Sequence, residues 1–166
     1  NFNGTVRDEV TTTLLSSNPQ NFTIGTWFKT TSASGRKIIG FENLRTGASP
    51  SYDRQIWMGT DGKIRFGVYD GGTQKIASAT ALNDGVWHHA VGTHDTAGNS
   101  ALYIDGNLQG SLTALAQNFN GYWRIGGNRL NAWTNGGDGY FVGSIDDTRI
   151  YNRKLSATEV SELFGA

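Results

Sequence analysis

The chain has 166 residues, with fourteen Lys and Arg balanced by fourteen Asp and Glu, and it contains no cysteine. Zero formal net charge offers no general attraction for nucleic acid or an anionic membrane, and the lack of thiols removes disulfides, thiolate catalysis and zinc–thiolate sites. Twenty-three glycines without a G-X-Y period, among five Trp, six Tyr and eight Phe, exclude collagen and argue against disorder.

The length suits one domain, taken as residues 1–166, with a core large enough to fold without disulfides. No run of eighteen apolar residues is present, so no helix is expected to insert in a membrane. The N-terminus does not resemble a signal peptide, as expected of a mature or excised module of a larger protein.

In chain order, Phe22, Ile24, Thr26 and Phe28 alternate with Thr23, Gly25 and Trp27. Both faces carry large apolar groups, which predicts a strand inside a layered structure. A long polar loop, 42–54, follows; Tyr52, Asp53 and Arg54 are its candidate ligand residues. Residues 55–60 and 63–69 form a predicted hairpin about Asp61-Gly62, with Ile64, Phe66 and Val68 on one face. Asp70 and Gln74 flank the next turn. Trp87, His89 and Val91 share a face of the following strand, and a second hairpin turns at Asp105-Gly106. At the C-terminus Ser156 and Glu159 fit a capping box, with Val160, Leu163 and Phe164 on one face of a short helix. About a dozen strands predict an all-β, two-sheet antiparallel jelly-roll sandwich with one short C-terminal helical turn.

The segment from Arg129 to Tyr140 combines the parts of a sugar site. Aromatic faces receive the apolar side of a sugar ring, and amides and carboxylates answer its hydroxyls. Trp133 and Tyr140 are the candidate platforms; Arg129, Asn131, Asn135 and Asp138 are the polar partners. The alternative for Trp133 is that it folds back as a loop anchor. Catalysis has little support. The four glutamates, Glu9, Glu42, Glu159 and Glu162, form no alternating acidic run, and no Gly-x-Ser-x-Gly elbow occurs. The histidines His88, His89 and His94 read as core or surface residues rather than metal ligands.

Several segments together resemble a known family. Asp84-Gly85-Val86-Trp87-His88-His89-Ala90-Val91 is similar to its G-x-W-H-H-V-A strand, and Leu102-Tyr103-Ile104-Asp105-Gly106 to its L-Y-I-D-G hairpin. Residues 142–156, with Ile145-Asp146-Asp147 and Arg149-Ile150-Tyr151-Asn152-Arg153, resemble its closing strand, while Phe2-Asn3-Gly4 and residues 22–27 resemble its opening. On these residues the chain is identified as a laminin-G-like jelly roll of the concanavalin A-like lectin/glucanase superfamily. The resemblance implies a module outside the cell or at its surface, binding a glycan or a cell-surface or matrix ligand. A structural or protein-binding module is the alternative, and a glycoside hydrolase or lyase the third. It further implies that Trp27, Trp87, His89, Tyr103 and Gly106 hold the core and turns. It also implies a structural calcium (Ca2+) at Asp146, with carbonyl donors from Asn3 and the turn at Gly35. The alternatives are that Asp146 accepts backbone N–H groups with no ion, or that a bulge makes Asp147 the ligand. The sequons at Asn3 and Asn21 are taken as chance.

Overall fold

The computed structural model describes residues 1–5, 8–34, 36–137 and 139–166. Its strands are β1 (Phe2–Asn3), β2 (Val10–Thr11), β3 (Phe22–Lys29), β4 (Arg36–Glu42), β5 (Tyr52–Met58), β6 (Lys63–Tyr69) and β7 (Thr73–Ala81). They continue with β8 (His88–His94), β9 (Asn99–Ile104), β10 (Asn107–Thr113), β11 (Tyr122–Ile125), β12 (Gly127–Asn128), β13 (Gly139–Tyr140) and β14 (Val142–Tyr151). Helix α1 (Ala157–Phe164) closes the chain. Two six-stranded antiparallel sheets, ordered β1-β14-β3-β8-β9-β10 and β2-β11-β4-β5-β6-β7, make the jelly-roll sandwich; β12 and β13 form a small ribbon. Among the described residues, no helix is long and apolar enough to cross a membrane.

The alternation read in β3 has its physical counterpart. This strand lies between β14 and β8, so neither edge is open, and both of its faces are covered as well. Phe22, Ile24 and Phe28 enter the core against Phe41, Ile56 and Phe66 of the opposing sheet. On the other side Trp27 stacks on His89 at 5.1 Å and on Phe164 of α1 at 5.5 Å between ring centroids. The capping box forms: Ser156 Oγ accepts from the Glu159 amide at 3.3 Å, and Glu159 Oε2 accepts from the Ser156 amide at 2.8 Å. Val160 is thereby held against Val91, Tyr103 and Leu155, covering the outer face of the first sheet.

Trp87 departs from expectation. It precedes β8 and is 41% exposed, with Lys29 Nζ 5.3 Å from its ring centroid, and it is not part of the core. The face predicted for it is continued by His89 and Val91, which are buried. His88, on the opposite parity, is held by Asp105 Oδ2 at 2.8 Å and by Asp84 at 3.3 Å.

His94 ends β8 with no exposed surface. Its ring stacks on Phe22 at 5.1 Å, and Nδ1 lies 2.7 Å from Ser100 Oγ, while Nε2 has no hydrogen-bond partner. Burial, reinforced by the Arg54 charge, lowers its pKa to about 4. The unfolded chain takes up this proton near pH 6.5, so between those values the unfolded state binds more protons and stability falls as pH falls. His88 has the opposite sign: burial pulls its pKa down, but Asp105 and Asp84 raise it overall, so its contribution is lost as pH rises. Urea titrations at several pH values are therefore expected to show His94→Gln with a flatter loss of stability than the unsubstituted chain between pH 6.5 and 4. The difference should be on the order of 2–3 kcal/mol over that interval.

Candidate functional site

The outer face of the second sheet is charged, yet sealed. Lys37, Glu42 and Arg124 are fully buried, and Glu42 bridges the two cations: Oε1 pairs with Lys37 Nζ, and Oε2 lies 2.9 Å from Arg124 Nη1. Arg124 Nη2 also meets Glu9 Oε2 at 2.6 Å. The same guanidinium donates to the carbonyls of Gly47, at 2.8 Å, and Leu44, at 3.3 Å. The loop between β4 and β5 is thus drawn over the sheet by charge-assisted hydrogen bonds to its backbone.

The loop between β12 and β13 covers the neighbouring part of that face. Trp133 is 4% exposed and packs edge-to-face on Trp57, at 5.1 Å and 78°, and on Leu130. A Cβ placed on Gly67 below would collide with the Gln74 carbonyl of β7 and approach Trp133 Cζ3 to 3.0 Å, so glycine in β6 makes room for the neighbouring strand and for the indole. Trp57 Nε1 donates to the Thr134 carbonyl at 3.1 Å, and the Thr60 amide to that of Asn135 at 3.0 Å. Of the two alternatives for Trp133, the loop anchor describes its packing, although part of the ring lines a cleft.

The remaining expected residues separate. Tyr52 places its hydroxyl 2.8 Å from the Asn131 carbonyl and 2.6 Å from Asn131 Oδ1, which ties the two loops together. Arg129 lies 5.5 Å from the centroid of the Tyr52 ring. Asn135 is exposed, with a φ of 54°. Tyr140 does not share a platform with Trp133. It pairs with Gly127, where glycine leaves room for its ring, and it is absent from the lining of the cleft. Asp138 lies outside the described residues.

Asp53 and Arg54 are corrected outright as surface ligand residues, because both are fully buried. The pairing of β4 with β5 shifts register here, and Arg54 adopts a φ of 52°. Its guanidinium turns inward, 5.0 Å from the Phe41 ring and 5.3 Å from Phe119. It donates to the carbonyls of Pro19, at 2.8 Å, and Gln117, at 2.6 Å. Asp53 accepts from the amides of Arg54 (2.6 Å), Tyr69 (2.7 Å) and Gln117 (2.7 Å). Burial pushes the Asp53 carboxyl up against the opposing pull of Arg54 and these amides, and it lowers Arg54 to about 10. The pair organises what lies above it.

Above it is a cleft of about 250 Å³ lined by Pro50, Tyr52, Tyr69, Gln117, Ala132 and Trp133. Only Tyr52 and Trp133 come from the expected set. Tyr69 and Gln117 were missed: Tyr69 read simply as the end of a strand, and Gln117 lies in a segment without periodicity. The available signal was the Asp70-Gly71-Gly72 turn, which places Tyr69 at a sheet rim.

The expected calcium donors are not gathered at one point. Asn3 pairs with Val142, four residues short of Asp146, which is about 13 Å along a strand. Asn3 is engaged locally, its amide donating to Asp8 Oδ2 and its Oδ1 accepting from the Thr5 amide. Asp146 Oδ1 accepts from the Asp147 amide at 2.8 Å, at a bulge where Asp147 has a φ of 44° and pairs with Arg149. Gly35 lies outside the described residues. Among the described residues, no three carboxylate or imidazole side chains converge to hold a metal. With Gly35 outside the described residues, the calcium stands as an expectation that rests on resemblance.

The class defined by this sandwich is that of lectin-like β-domains. The laminin G family model, described as the concanavalin A-like lectin/glucanases superfamily, matches residues 3–161, and the chain belongs to that family. A rat protein, "Sushi, von Willebrand factor type A, EGF and pentraxin domain-containing protein 1", is 34% identical over 105 residues. That match covers 58% of this chain but only 3% of the rat protein. Among solved structures, the native heptameric SAP-like pentraxin from Limulus polyphemus superposes with a TM-score of 0.70 at 16% identity, over 98% of this chain and 79% of that one. The Ruminococcus gnavus IT-sialidase CBM40 gives 0.66 at 17% identity, over 89% and 84%, and is also solved bound to alpha2,3 sialyllactose. At these identities the structural likeness is one of fold.

Two outcomes follow from the geometry. Arg54→Ala is expected to cost about 3–5 kcal/mol in urea denaturation, because it strands Asp53 without its cation, whereas Arg129→Ala should stay within about 0.5 kcal/mol. The calcium expected at Asp146 predicts a thermal midpoint that is higher in calcium than in EDTA, a rise that Asp146→Asn removes; equal midpoints would dismiss the ion.

Proposed function

We propose that the chain is a non-catalytic carbohydrate-binding or adhesion module of a larger secreted or surface protein, acting outside the cell. Its glycan would occupy the cleft between the β4–β5 and β12–β13 loops. The observation that carries this reading is the meeting there of three aromatic rings, Tyr52, Tyr69 and Trp133, with the side-chain amide of Gln117. Lys37 and Arg129 lie within 5.8 Å of the Tyr52 ring centroid, which makes Tyr69 the better stacking surface and Tyr52 a wall. No carboxylate pair lines the cleft among the described residues, so the two-acid machinery of a glycosidase is not what its lining suggests.

A glycan array tests the proposal. Binding is expected to one or more carbohydrate classes and to drop by about tenfold or more for Tyr69→Ala, a loss of roughly 1.4 kcal/mol, with Asn135→Ala unchanged. An empty array would overturn it in favour of a protein ligand. That second reading is favoured by Leu14 and Leu15, adjacent and 81% and 57% exposed.

A further inference from the structure

We infer that the site continues past Tyr69 into the neighbouring depression and takes a linear, uncharged oligosaccharide of at least two rings; this rests on the carbohydrate reading above. The aromatic cleft alone, at about 250 Å³, falls just below the roughly 300–1,000 Å³ usual for ligand pockets. A second depression of about 580 Å³ shares Tyr69 and Gln117 with it and adds Gln20, Asp70, Leu115 and Asn118. The two lie on either side of these shared residues, so a chain that crosses Tyr69 and Gln117 would reach both, as a single ring would not.

The wall is fixed in place. The Leu115 amide donates to Asp70 Oδ2 at 3.0 Å, the Gln117 amide to Asp53 Oδ2 at 2.7 Å, and Arg54 holds the Gln117 carbonyl at 2.6 Å. Because these bonds use the backbone, they leave side-chain groups for a ligand. Gln20 and Asn118 are joined through Gln20 Nε2 and Asn118 Oδ1, at 3.2 Å, so Gln20 Oε1 and Asn118 Nδ2 remain as acceptor and donor. The Gln117 side chain and Asp70 Oδ1 add two more such groups. Leu115, 53% exposed, supplies an apolar surface beyond Tyr69. Hydroxyls at two successive rings could be answered without first breaking a bond within the protein.

Charge narrows the ligand. Among the described residues lining the two depressions, Asp70 is the only charged side chain. A carboxylate on a sugar seated in the second depression would meet its repulsion with no cation among the residues lining that depression. Neutral glycans are accordingly favoured over sialylated or uronic acid chains.

The test is calorimetric titration with mono- to tetrasaccharides of β1,4-linked glucose, xylose, mannose and N-acetylglucosamine, together with any array ligand and its shorter fragments, and with alpha2,3 sialyllactose beside lactose. Affinity is expected to rise about tenfold or more from the monosaccharide to the trisaccharide of the recognised series. Leu115→Ala and Asn118→Ala should weaken the trisaccharide several-fold and leave the monosaccharide unchanged, with unfolding midpoints confirming that both variants fold. Sialyllactose should bind no better than lactose. Glycan binding that is independent of length, or untouched by both variants, would overturn the extended groove while leaving the module a carbohydrate binder. A preference for sialyllactose would overturn the uncharged ligand. Failure of every sugar, on the array and in solution, would overturn the proposed function and this inference with it.

Discussion

Asp53 and Arg54 fix the wall on which the cleft depends. Two adjacent residues at a register shift, with no exposure, hold four pieces of chain: the segment at Pro19, the end of β6 at Tyr69, the segment at Gln117 and β5 itself. Two buried charges would be costly if either lacked its partners. Here the carboxylate collects three amides and the guanidinium two carbonyls, so the desolvated charges are nearly saturated with hydrogen bonds. The flat faces of Phe41 and Phe119 close over the guanidinium. Backbone from distant parts of the sequence converges on this point, and the cleft wall at Tyr69 and Gln117 is its immediate product.

A second division of labour runs through the same sheet. Its inner face, with Phe41, Ile56 and Phe66, is apolar and meets the first sheet. Its outer face carries Lys37, Glu42 and Arg124, equally buried but satisfied by ion pairs and loop carbonyls. Trp57 and Trp133 supply the apolar contact on that outer side. The loops are therefore packed as a third layer, fixed in position rather than trailing in solvent.

Strand alternation made the first sheet readable: the period-two pattern of β3, the hairpin at Asp105-Gly106 and the capping box at Ser156 each have a local signature, and each forms. The candidate site was less legible. Polar and aromatic residues in a long loop look like ligand contacts, but burial depends on which segments cross above them. Asp53 and Arg54 turn inward because of a bulge and because the segment around Gln117 passes over them, sixty-four residues from Asp53 in sequence. Trp133 is drawn down because Gly67 and Trp57, from another hairpin, form a seat for it. Tyr69 and Gln117 gain importance only from being brought side by side. No local pattern encodes a meeting between a strand end and an irregular segment that are joined through the opposite sheet.

Arg124 holds the β4–β5 loop by the carbonyls of Leu44 and Gly47, and Asn128 Nδ2 grips the Gly47 carbonyl again at 2.6 Å. Every residue type carries a carbonyl, so this grip is indifferent to the side chains displayed outside it. Leu44, Arg45, Thr46 and Ala48 are all exposed along that path. Substitution there can alter the chemistry displayed beside Pro50 at the cleft while the loop keeps its course. A lineage could thus drift from one ligand to another by surface changes alone, with the charged layer beneath acting as an inherited frame.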